Sequence, residues 1–432
     1  MRAAYLSFRI AGTDGVSLEA NHWKNILTRL GHEVTFVAGE LDGDGIVIPE
    51  LHFAHPKALA IHRKLIEKKR PFEEVEGEIA DLAEVIESKL RTVFENHKFD
   101  RMIVANVFSL PIHLSFSPAL EKIIDEFRIP TIARDHDFWW DRERYKSSAG
   151  VGYFAQYFPP KDPFIRHTTL NSLSQQHLKD AAGINAAVVA DSFDFSNVEG
   201  SDWYAKCFRN DFGLTSKDIV FLQATRIVPR KNIEASIELV RKLDDPRIIL
   251  VLAGYAGDEG REYLSQLKSL ARQAGIRAKF IGDRVDVERR MVKGVRYYSL
   301  WDVFKNADFV TYPTKFEGFG NQFLETIAYK KPMMVNRYEV FKADLEPLGF
   351  DVIKMDGALT NDVVGQVRDL LMDQDRISKM AEKNFEIGRE HFSYEATAER
   401  MMKLGLISDV AVTGKHLVTA DLVSLFDPQF SD

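Results

Sequence analysis

The sequence contains one cysteine, Cys207, and no long apolar segment. A single cysteine excludes an intrachain disulfide and a cysteine-based zinc site, and it fits a reducing compartment, so a cytoplasmic location is expected. Apolar runs such as residues 248–253 are far shorter than the roughly 20 residues that cross a bilayer, so no membrane insertion is expected. Residues 1–9 also lack the apolar core of a secretory signal, and they predict a first strand instead.

An excess of charge of one sign is also missing. The chain has 57 Lys and Arg against 64 Asp and Glu, which gives a formal net charge of −7. This balance provides no global field that attracts nucleic acid or an anionic membrane, so neither is expected as a partner. An anionic ligand must therefore be bound by a local group of basic residues. With 432 residues, 45% of them hydrophobic, the chain is expected to fold into two or three globular domains.

Short apolar runs alternate with amphipathic helical patterns along most of the chain. This alternation predicts βαβ units, which build a parallel sheet flanked by helices. One series of units covers residues 1–195, and a second covers 196–389 after the acidic, turn-rich stretch 191–202. We therefore predict an α/β protein of two Rossmann-like, doubly wound domains that face each other across a cleft, with the 191–202 stretch as the hinge.

Residues 58–97 interrupt the first series with a helical pattern rich in Lys, Arg and Glu. The pattern predicts a helical insertion whose charged faces are solvated. Such a helix usually packs on its own domain, but it can also form the surface of a homodimer, and both interpretations are open. Near the other end of the chain, Ser393 is a candidate N-cap for a closing helix.

A strand, a glycine-rich turn and a helix start follow one another within residues 312–326. Glu317 lies in the turn, and the helix is predicted to begin at Asn321 or Gln322. The glycines let a ligand approach the backbone, and the free N–H groups of a helix start favour an anion. Glu325, one turn into the helix, adds a second carboxylate, and the pair suits hydrogen bonds to sugar hydroxyls. The alternative is an ordinary turn with a surface glutamate on either side.

Two basic residues, Arg226 and Lys231, follow another predicted strand at residues 219–224 and precede a helix. A guanidinium and an ammonium at the carboxyl end of a strand can neutralise a diphosphate. They can also be ordinary surface charges.

Together the two segments resemble the donor-binding half of glycosyltransferase family 4, retaining enzymes with the GT-B architecture of two Rossmann-like domains. The family hallmark is a pair of glutamates separated by seven residues, the spacing of Glu317 and Glu325 in EGFGNQFLE. The resemblance extends over nearly the whole chain. Gly12 matches the glycine-rich loop after the first strand, and His136 matches a histidine that faces the transferred sugar. The closing segment, about 390–432, resembles helices that cross back onto the N-terminal domain.

The resemblance implies a role for each of these residues. Glu317 would contact the sugar ring and His136 a distal sugar hydroxyl, while Glu325 would bind the nucleotide ribose. Arg226 and Lys231 would stabilise the charge that develops on the departing diphosphate. Since the family is described as reacting on one face of the sugar, no nucleophile is assigned. The remaining donor-binding groups are Gly12, Gly318, Phe319, Gly320 and Asn321.

Two Asp-x-Asp strings, at residues 135–137 and 42–44, match a metal-binding pattern of another glycosyltransferase architecture. Short acidic strings arise often by chance, and Arg226 and Lys231 can neutralise the diphosphate in place of a metal ion. We therefore expect no essential metal and no other cofactor, with the nucleotide sugar as co-substrate.

Basic residues near the predicted strand ends of the first domain indicate the nature of the acceptor. Such side chains on loops that face the cleft suit a phosphate or a carboxylate, although salt bridges with neighbouring aspartates are the alternative. A small, soluble, anionic acceptor is expected, either a phosphorylated sugar or a glycerate derivative. The residues assigned to acceptor binding are Arg9, Thr13, Asp14, Arg134 and Arg142.

The sequence thus predicts a metal-independent, retaining hexosyltransferase that uses GDP-mannose or UDP-glucose. One alternative is transfer to a lipid or polysaccharide, for which the basic segment 62–70 is the candidate surface. The other is a GT-B sugar-nucleotide epimerase. Two positions depart from the family pattern: Lys330 stands where glycine is common, and Thr13 and Asp14 stand where adjacent glycines are frequent.

Overall fold

The computed structural model describes residues 1–12, 14–196, 198, 202–256, 261–286 and 288–407. The chain divides into two compact units, the first comprising Met1–Ala190 and the chain from Thr397 onward, and the second comprising Asp191–Ala396. The division falls at the start of the acidic stretch 191–202, of which residues 197 and 199–201 lie outside the described ranges. The part of the predicted closing segment after residue 407 also lies outside them.

Among the described residues, seven strands form the sheet of the first unit. They are β1 (Arg2–Ser7), β2 (Glu33–Ala38), β3 (Ile46–Val47), β4 (Arg101–Ala105), β5 (Thr131–Asp135), β6 (Ile165–Thr169) and β7 (Ala187–Val188). Their order is β3-β2-β1-β4-β5-β6-β7, and every neighbouring pair is parallel. The order reverses between β1 and β4, and ligands of doubly wound sheets bind at the carboxyl ends of the strands that flank such a switch point.

Helices connect these strands and cover the sheet. They are α1 (Gly15–Arg29), α2 (Pro56–His62), α3 (Glu76–His97), α4 (Phe116–Phe127), α5 (Glu143–Lys146), α6 (Val151–Tyr157) and α7 (Ser172–Ala182). The predicted insertion 58–97 is helical, as α2, a π-helical turn at Arg63–Glu67 and α3. The buried positions of α3, such as Ile86 and Leu90, join the core of the first unit. Its apolar face is therefore covered by its own unit.

In the described residues, six strands form the main sheet of the second unit. They are β8 (Ile219–Gln223), β9 (Ile248–Leu252), β10 (Ala278–Phe280), β14 (Phe309–Tyr312), β15 (Met333–Asn336) and β16 (Ile353–Met355). Their order is β10-β9-β8-β14-β15-β16, again with parallel pairs throughout. The switch point of this sheet lies between β8 and β14. Two parallel, doubly wound sheets confirm the predicted fold class.

Helices connect the strands of the second unit. They are α8 (Trp203–Asp211), α9 (Ile233–Leu243), α10 (Arg261–Gln273), α11 (Leu300–Asn306), α12 (Asn321–Ala328), α13 (Asn361–Leu371) and α14 (Gln374–Phe392). A last helix, α15 (Tyr394–Lys403), follows Ser393, whose hydroxyl accepts a hydrogen bond from the backbone N–H of Ala396 at 3.1 Å. This confirms the predicted cap. Among the described residues, no helix combines the length and apolar character needed to cross a bilayer.

The sequence analysis missed a small three-stranded sheet in the second unit. Its strands are β11 (Val285–Asp286), β12 (Arg290–Val292) and β13 (Val295–Ser299), in the order β11-β13-β12. These strands have two, three and five residues, and all three residues of β12 are exposed. Strands of two or three residues are too short for an alternation of apolar and polar residues to be recognised in a sequence.

Close backbone packing joins the carboxyl ends of β8 and β9. A methyl carbon built at Gly254, just after β9, would overlap the carbonyl oxygen of Thr225, just after β8. Glycine is required here because no side chain fits between the two strand ends. The spacing of the loops that leave these strands depends on this contact.

We expect Gly254→Ala to lower the free energy of unfolding by about 1–3 kcal/mol, because the strand ends must move apart. Urea denaturation measures the change. The matched control is Gly365→Ala in α13, where an added Cβ meets no atom within 4 Å. Since that glycine is inside a helix, the control should gain about 0.5–1 kcal/mol. Equal effects of the two substitutions would contradict the packing argument.

Candidate active site

The sequence-predicted residues of the second unit come together at its switch point. β8 and β14 are adjacent and parallel, so the loops that leave their carboxyl ends lie side by side. The first loop carries Arg226 and Lys231, and the second carries Glu317. These are the two segments that the sequence analysis singled out separately. Their adjacency follows from the strand order, which the sequence does not reveal.

Backbone and amide hydrogen bonds hold the two loops together. The backbone N–H of Lys315 donates to the carbonyl oxygen of Arg230 at 2.9 Å. The side-chain amide of Asn232 donates to the carbonyl of Pro313 at 3.2 Å. From the next strand, the amide of Asn336 donates to the carbonyl of Thr314 at 2.8 Å. The loops therefore form one connected framework around Glu317.

The carboxylate of Glu317 is buried among hydrogen-bond donors. Its Oε1 accepts hydrogen bonds from the Nζ of Lys231 and, at 3.1 Å, from the hydroxyl of Thr314. Its Oε2 accepts a hydrogen bond from the Nη1 of Arg230 at 2.7 Å. Glu317 and Lys231 are each 8% exposed, so this ion pair is largely shielded from water. Arg230 was missed by the sequence analysis, although it stands directly before Lys231.

Electrostatics keep this carboxylate ionised. Burial by itself raises the pKa of Glu317, but the positive charges of Lys231 and Arg230 and their hydrogen bonds outweigh burial, and the net pKa is lowered. Burial also lowers the pKa of Lys231, and the charge of Glu317 opposes this effect. The carboxylate of Glu317 can therefore accept hydrogen bonds from the hydroxyl groups of a ligand. The neighbouring cations can at the same time bind an anionic group of that ligand.

Two buried tyrosines support the glycine turn after Glu317. Gly320 has a φ of +126°, and a Cβ at this position would lie 2.6 Å from the hydroxyl of Tyr312 and 2.9 Å from that of Tyr338. The hydroxyl of Tyr338 donates to the carbonyl of Phe319 at 2.6 Å. Glycine is therefore required by its backbone conformation and by the phenol groups beneath it.

Helix α12 starts immediately after this turn, within the predicted range. Its N-cap is Gly320, which has no side chain to cap the first N–H groups, so the start of the helix favours an anion. Gln322 and Glu325 are both buried, and the amide of Gln322 donates to the carbonyl of Thr311 at 3.1 Å. Glu325 is 4% exposed, which is low for the ribose contact that the family resemblance implies.

Arg226 is the exposed cation of this site. Within the described part of the chain its guanidinium has no hydrogen-bond partner, and its positive charge contributes to the lowered pKa of Lys231. Besides Arg230, the loop after β8 thus provides the buried Lys231, which is paired with Glu317, and the exposed Arg226. Such a pair suits a diphosphate, which carries more than one negative charge.

In the first unit, the loop after β1 is fixed by short polar contacts. Gly12 has a φ of +76°, and its N–H donates to the carboxylate of Asp42 at 2.6 Å. Asp14 caps α1 through the N–H groups of Val16 and Ser17 and pairs with Arg9 at 2.7 Å. Arg9 and Asp14, both predicted to bind the acceptor, therefore form an ion pair with each other, and Asp14 also caps α1. Thr13, also assigned to the acceptor, lies outside the described residues.

His136 follows β5 directly and has a buried, unbonded ring nitrogen. Its Nε2 has no hydrogen-bond partner in the described residues. Burial, together with the positive charge of Arg134, lowers the pKa of His136 to about 3, so the ring is neutral at physiological pH. A neutral imidazole with an unsatisfied nitrogen is suited to exchange a hydrogen bond with a ligand hydroxyl.

The acidic strings 135–137 and 42–44 are engaged in protein contacts. Asp135 binds the ring of His167 at 2.7 Å, Asp137 pairs with Arg142 at 2.9 Å, and Asp42 accepts the bond from Gly12. Across the described ranges, no group of three or more His, Cys, Asp or Glu side chains has a geometry suited to a metal ion. Metal independence remains a prediction.

The predicted place of Arg134 on an acceptor-facing loop is wrong. β5 (Thr131–Asp135) includes Arg134, which therefore lies inside a strand. Its side chain is fully buried, pairs with Glu19 at 3.1 Å, donates to the carbonyl of Val189 at 3.0 Å and lies over the ring of Trp23. A charged residue after an apolar run is typical of a strand end, but here a buried partner on α1 keeps Arg134 in the sheet.

Asn106 is a further candidate site residue, which no motif in the sequence indicates. It follows β4 at the switch point of the first unit, with a φ of +63° that few residues other than glycine adopt. The hydroxyl of Ser109 donates to its Oδ1 at 3.0 Å. Its amide nitrogen has no partner among the described residues, which leaves two donors for a ligand.

Known proteins are similar to this chain in sequence and in fold. The family described as glycosyl transferases group 1 matches residues 206–386. The mannosylglucosylglycerate synthase of Thermotoga maritima is 31% identical over 430 residues, which cover 91% of this chain and 97% of that protein. The synthase of the same name from Petrotoga mobilis is 31% identical over 433 residues, or 94% and 97% of the two chains.

A solved structure with the same fold is the sucrose-phosphate synthase of Thermosynechococcus elongatus. It superposes with a TM-score of 0.67 over 94% of this chain and 98% of that one, at 13% sequence identity. The fold and the sequence relatives define a glycosyltransferase with the GT-B architecture, as the sequence analysis predicted. More narrowly, the chain belongs to the glycosyltransferase family that contains the two mannosylglucosylglycerate synthases.

We expect Arg134→Met to lower the free energy of unfolding by about 3–5 kcal/mol, because Glu19 would be left buried without its cation. Chemical denaturation measures the loss, and removing the carboxylate as well, in Glu19→Gln/Arg134→Met, should restore much of it. The control is Arg63→Met, whose side chain is 56% exposed and which should change stability by less than about 0.5 kcal/mol. Loss of acceptor affinity with normal stability would contradict this assignment.

Proposed function

We propose that this protein is a retaining, metal-independent glycosyltransferase of family 4 that transfers mannose from GDP-mannose to a hydroxyl of a small glycerate derivative. The observation that carries the proposal is the Glu317 carboxylate, held by Lys231 and Arg230 beside the uncapped start of α12. This arrangement combines a carboxylate that accepts hydrogen bonds from hydroxyl groups with cations and backbone N–H groups that bind an anion. A sugar joined to a diphosphate has both hydroxyl groups and negative charge, and it fits such a site.

The donor is assigned to the switch point of the second unit. Glu317 accepts hydrogen bonds from the sugar hydroxyls, and the backbone of Gly318, Phe319, Gly320 and Asn321 lies against sugar and phosphate. Arg226 and Lys231 bind the diphosphate, with Glu325 assigned to the ribose. The relatives' name contains a mannosyl group, which favours GDP-mannose over UDP-glucose.

The reaction exchanges one bond at the anomeric carbon. The bond from this carbon to the diphosphate oxygen breaks, and a bond to the acceptor oxygen forms on the same face of the sugar. The leaving phosphate takes the proton of the acceptor hydroxyl. Lys231 and Arg226 stabilise the negative charge that grows on the diphosphate, and because they are already in place, they need little rearrangement. No carboxylate nucleophile is assigned.

The acceptor is assigned to the switch point of the first unit. The relatives' name describes glucosylglycerate that carries mannose, and glycerate has a carboxylate. Arg9 and Arg142 are the exposed or half-buried cations near this edge, and each has an aspartate partner that a ligand carboxylate can replace. Asn106 supplies amide donors, Gly12 a backbone open to close approach, and neutral His136 a hydrogen bond to a sugar hydroxyl.

The first experiment measures nucleoside diphosphate release from UDP-, GDP- and ADP-sugars in the presence of EDTA. Each donor is tested with glycerate, glucosylglycerate and phosphorylated sugars, and without acceptor. We expect release from GDP-mannose that depends on glucosylglycerate, with an α-linked product by NMR. Release only with lipid or polysaccharide acceptors, or conversion of the donor sugar without any acceptor, would favour the alternative activities. Loss of activity in EDTA would contradict metal independence.

We expect Glu317→Gln to lower kcat by about 100- to 1,000-fold, because the transferred sugar loses a charged hydrogen-bond acceptor. Steady-state rates at saturating donor measure this change. The control is Glu339→Gln in the same unit, where the native side chain is 79% exposed, and it should retain the wild-type rate. A Glu317→Gln enzyme with wild-type kcat would remove the basis of the proposal.

We expect Arg142→Ala to raise the KM for the acceptor about tenfold and to leave the donor KM unchanged, because a charge-assisted contact to the carboxylate is lost. Kinetics with each substrate varied in turn separate the two constants. Lys179→Ala in α7, also an exposed cation of the first unit, is the control. An unchanged acceptor KM would mean that the carboxylate of the acceptor does not contact Arg142.

A further inference from the structure

Arg230 binds both the backbone and the side chain at Glu317. Its Nη1 donates to the carbonyl oxygen of Phe316 at 2.8 Å and to Oε2 of Glu317 at 2.7 Å. Since these two acceptors belong to consecutive residues, one guanidinium nitrogen fixes the carboxylate relative to its own backbone. An ordinary surface ion pair lacks this second attachment.

The backbone of Arg230 is held by the same loop. Its carbonyl oxygen accepts a hydrogen bond from the backbone N–H of Lys315 at 2.9 Å. Arg230 also lies in a short helical turn, Pro229–Lys231, that begins with proline. The backbone position of Arg230 is therefore set by the proline and by a hydrogen bond, which places the root of its side chain next to Glu317.

The two oxygens of Glu317 have separate partners. Lys231 and Thr314 bind Oε1, and Arg230 binds Oε2. Without Arg230, the carboxylate could rotate about its last torsion angle and turn both oxygens toward Lys231. Such a rotation would pair both carboxylate oxygens with the ammonium of Lys231. It would also move the oxygen of Glu317 that is proposed to bind the sugar.

We infer that Arg230 is a positioning residue, which fixes the orientation and the charge of Glu317 so that the carboxylate meets the sugar while Lys231 stays available to the diphosphate. This inference rests on the proposed function, since it assumes that Glu317 binds the donor sugar. The side chain of Arg230 is 37% exposed, so it acts at the rim of the site, where solvent screens its charge in part.

The kinetic test compares wild type, Arg230→Gln, Arg230→Lys and the control Lys315→Gln, which removes an exposed charge from the neighbouring loop. For Arg230→Gln we expect kcat to fall about 10- to 100-fold with a smaller change in donor KM, because the reacting group is displaced rather than deleted. Arg230→Lys should retain intermediate activity, and Lys315→Gln should behave as wild type.

The pH profile separates positioning from a general structural effect. The charge of Arg230 helps to lower the pKa of Glu317, so its removal raises that pKa. The acid limb of kcat, where rate falls as Glu317 becomes protonated, should therefore move to higher pH in Arg230→Gln and less in Arg230→Lys. An active Arg230→Gln enzyme whose kcat and acid limb both match wild type would overturn the inference.

A double-mutant cycle tests the contact without activity. Unfolding free energies at pH 7 are measured for Arg230→Gln, Glu317→Gln and the double variant, and we expect the two single effects to be non-additive. Additive effects would overturn the inference even if the variants were inactive. If wild type released no nucleotide from any donor, the proposed function would fail, while the cycle would still decide whether Arg230 fixes Glu317.

Discussion

A buried carboxylate between two cations organises the second unit. Removing the charge of Glu317 from water costs several kcal/mol unless its partners are close and well oriented. Lys231, Arg230 and Thr314 meet this condition, and they lie on the loops after β8 and β14. The loops must therefore stay together, and the hydrogen bonds between them follow from that constraint. In the proposed function, the same arrangement means that the cations of the donor site are already in place before a ligand binds.

Two buried phenol groups near this ion pair leave no space for a side chain at Gly320. Tyr312 and Tyr338 fill the space under Gly320, and the hydroxyl of Tyr338 holds the carbonyl of Phe319. This leaves the backbone of the turn as the surface that a ligand can approach. On the other side of β8, the contact between Gly254 and Thr225 fixes the next loop. Close backbone packing thus sets the shape of the site, and charged side chains set its chemistry.

The first unit uses buried charge differently. Arg134 and Glu19 form an ion pair inside the unit, and the charge of Arg134 and burial keep His136 neutral. The Nε2 of His136 has no hydrogen-bond partner in the described residues. The half-buried cations Arg9 and Arg142 lie on loops instead, each beside an aspartate. In the proposed function, His136 and Asn106 meet hydroxyl groups of the acceptor, and the two arginines meet its carboxylate.

The sequence by itself determined the two βαβ series and the start of α12 at Asn321, because these depend on local apolar patterns and a glycine turn. It also identified Glu317 and Lys231 from their positions after strands. The tertiary structure alone decided that β8 and β14 are neighbours, that Arg230 reaches Glu317, and that Arg134 is buried. Each of these depends on partners at least 80 residues away along the chain, and no local pattern records such distances.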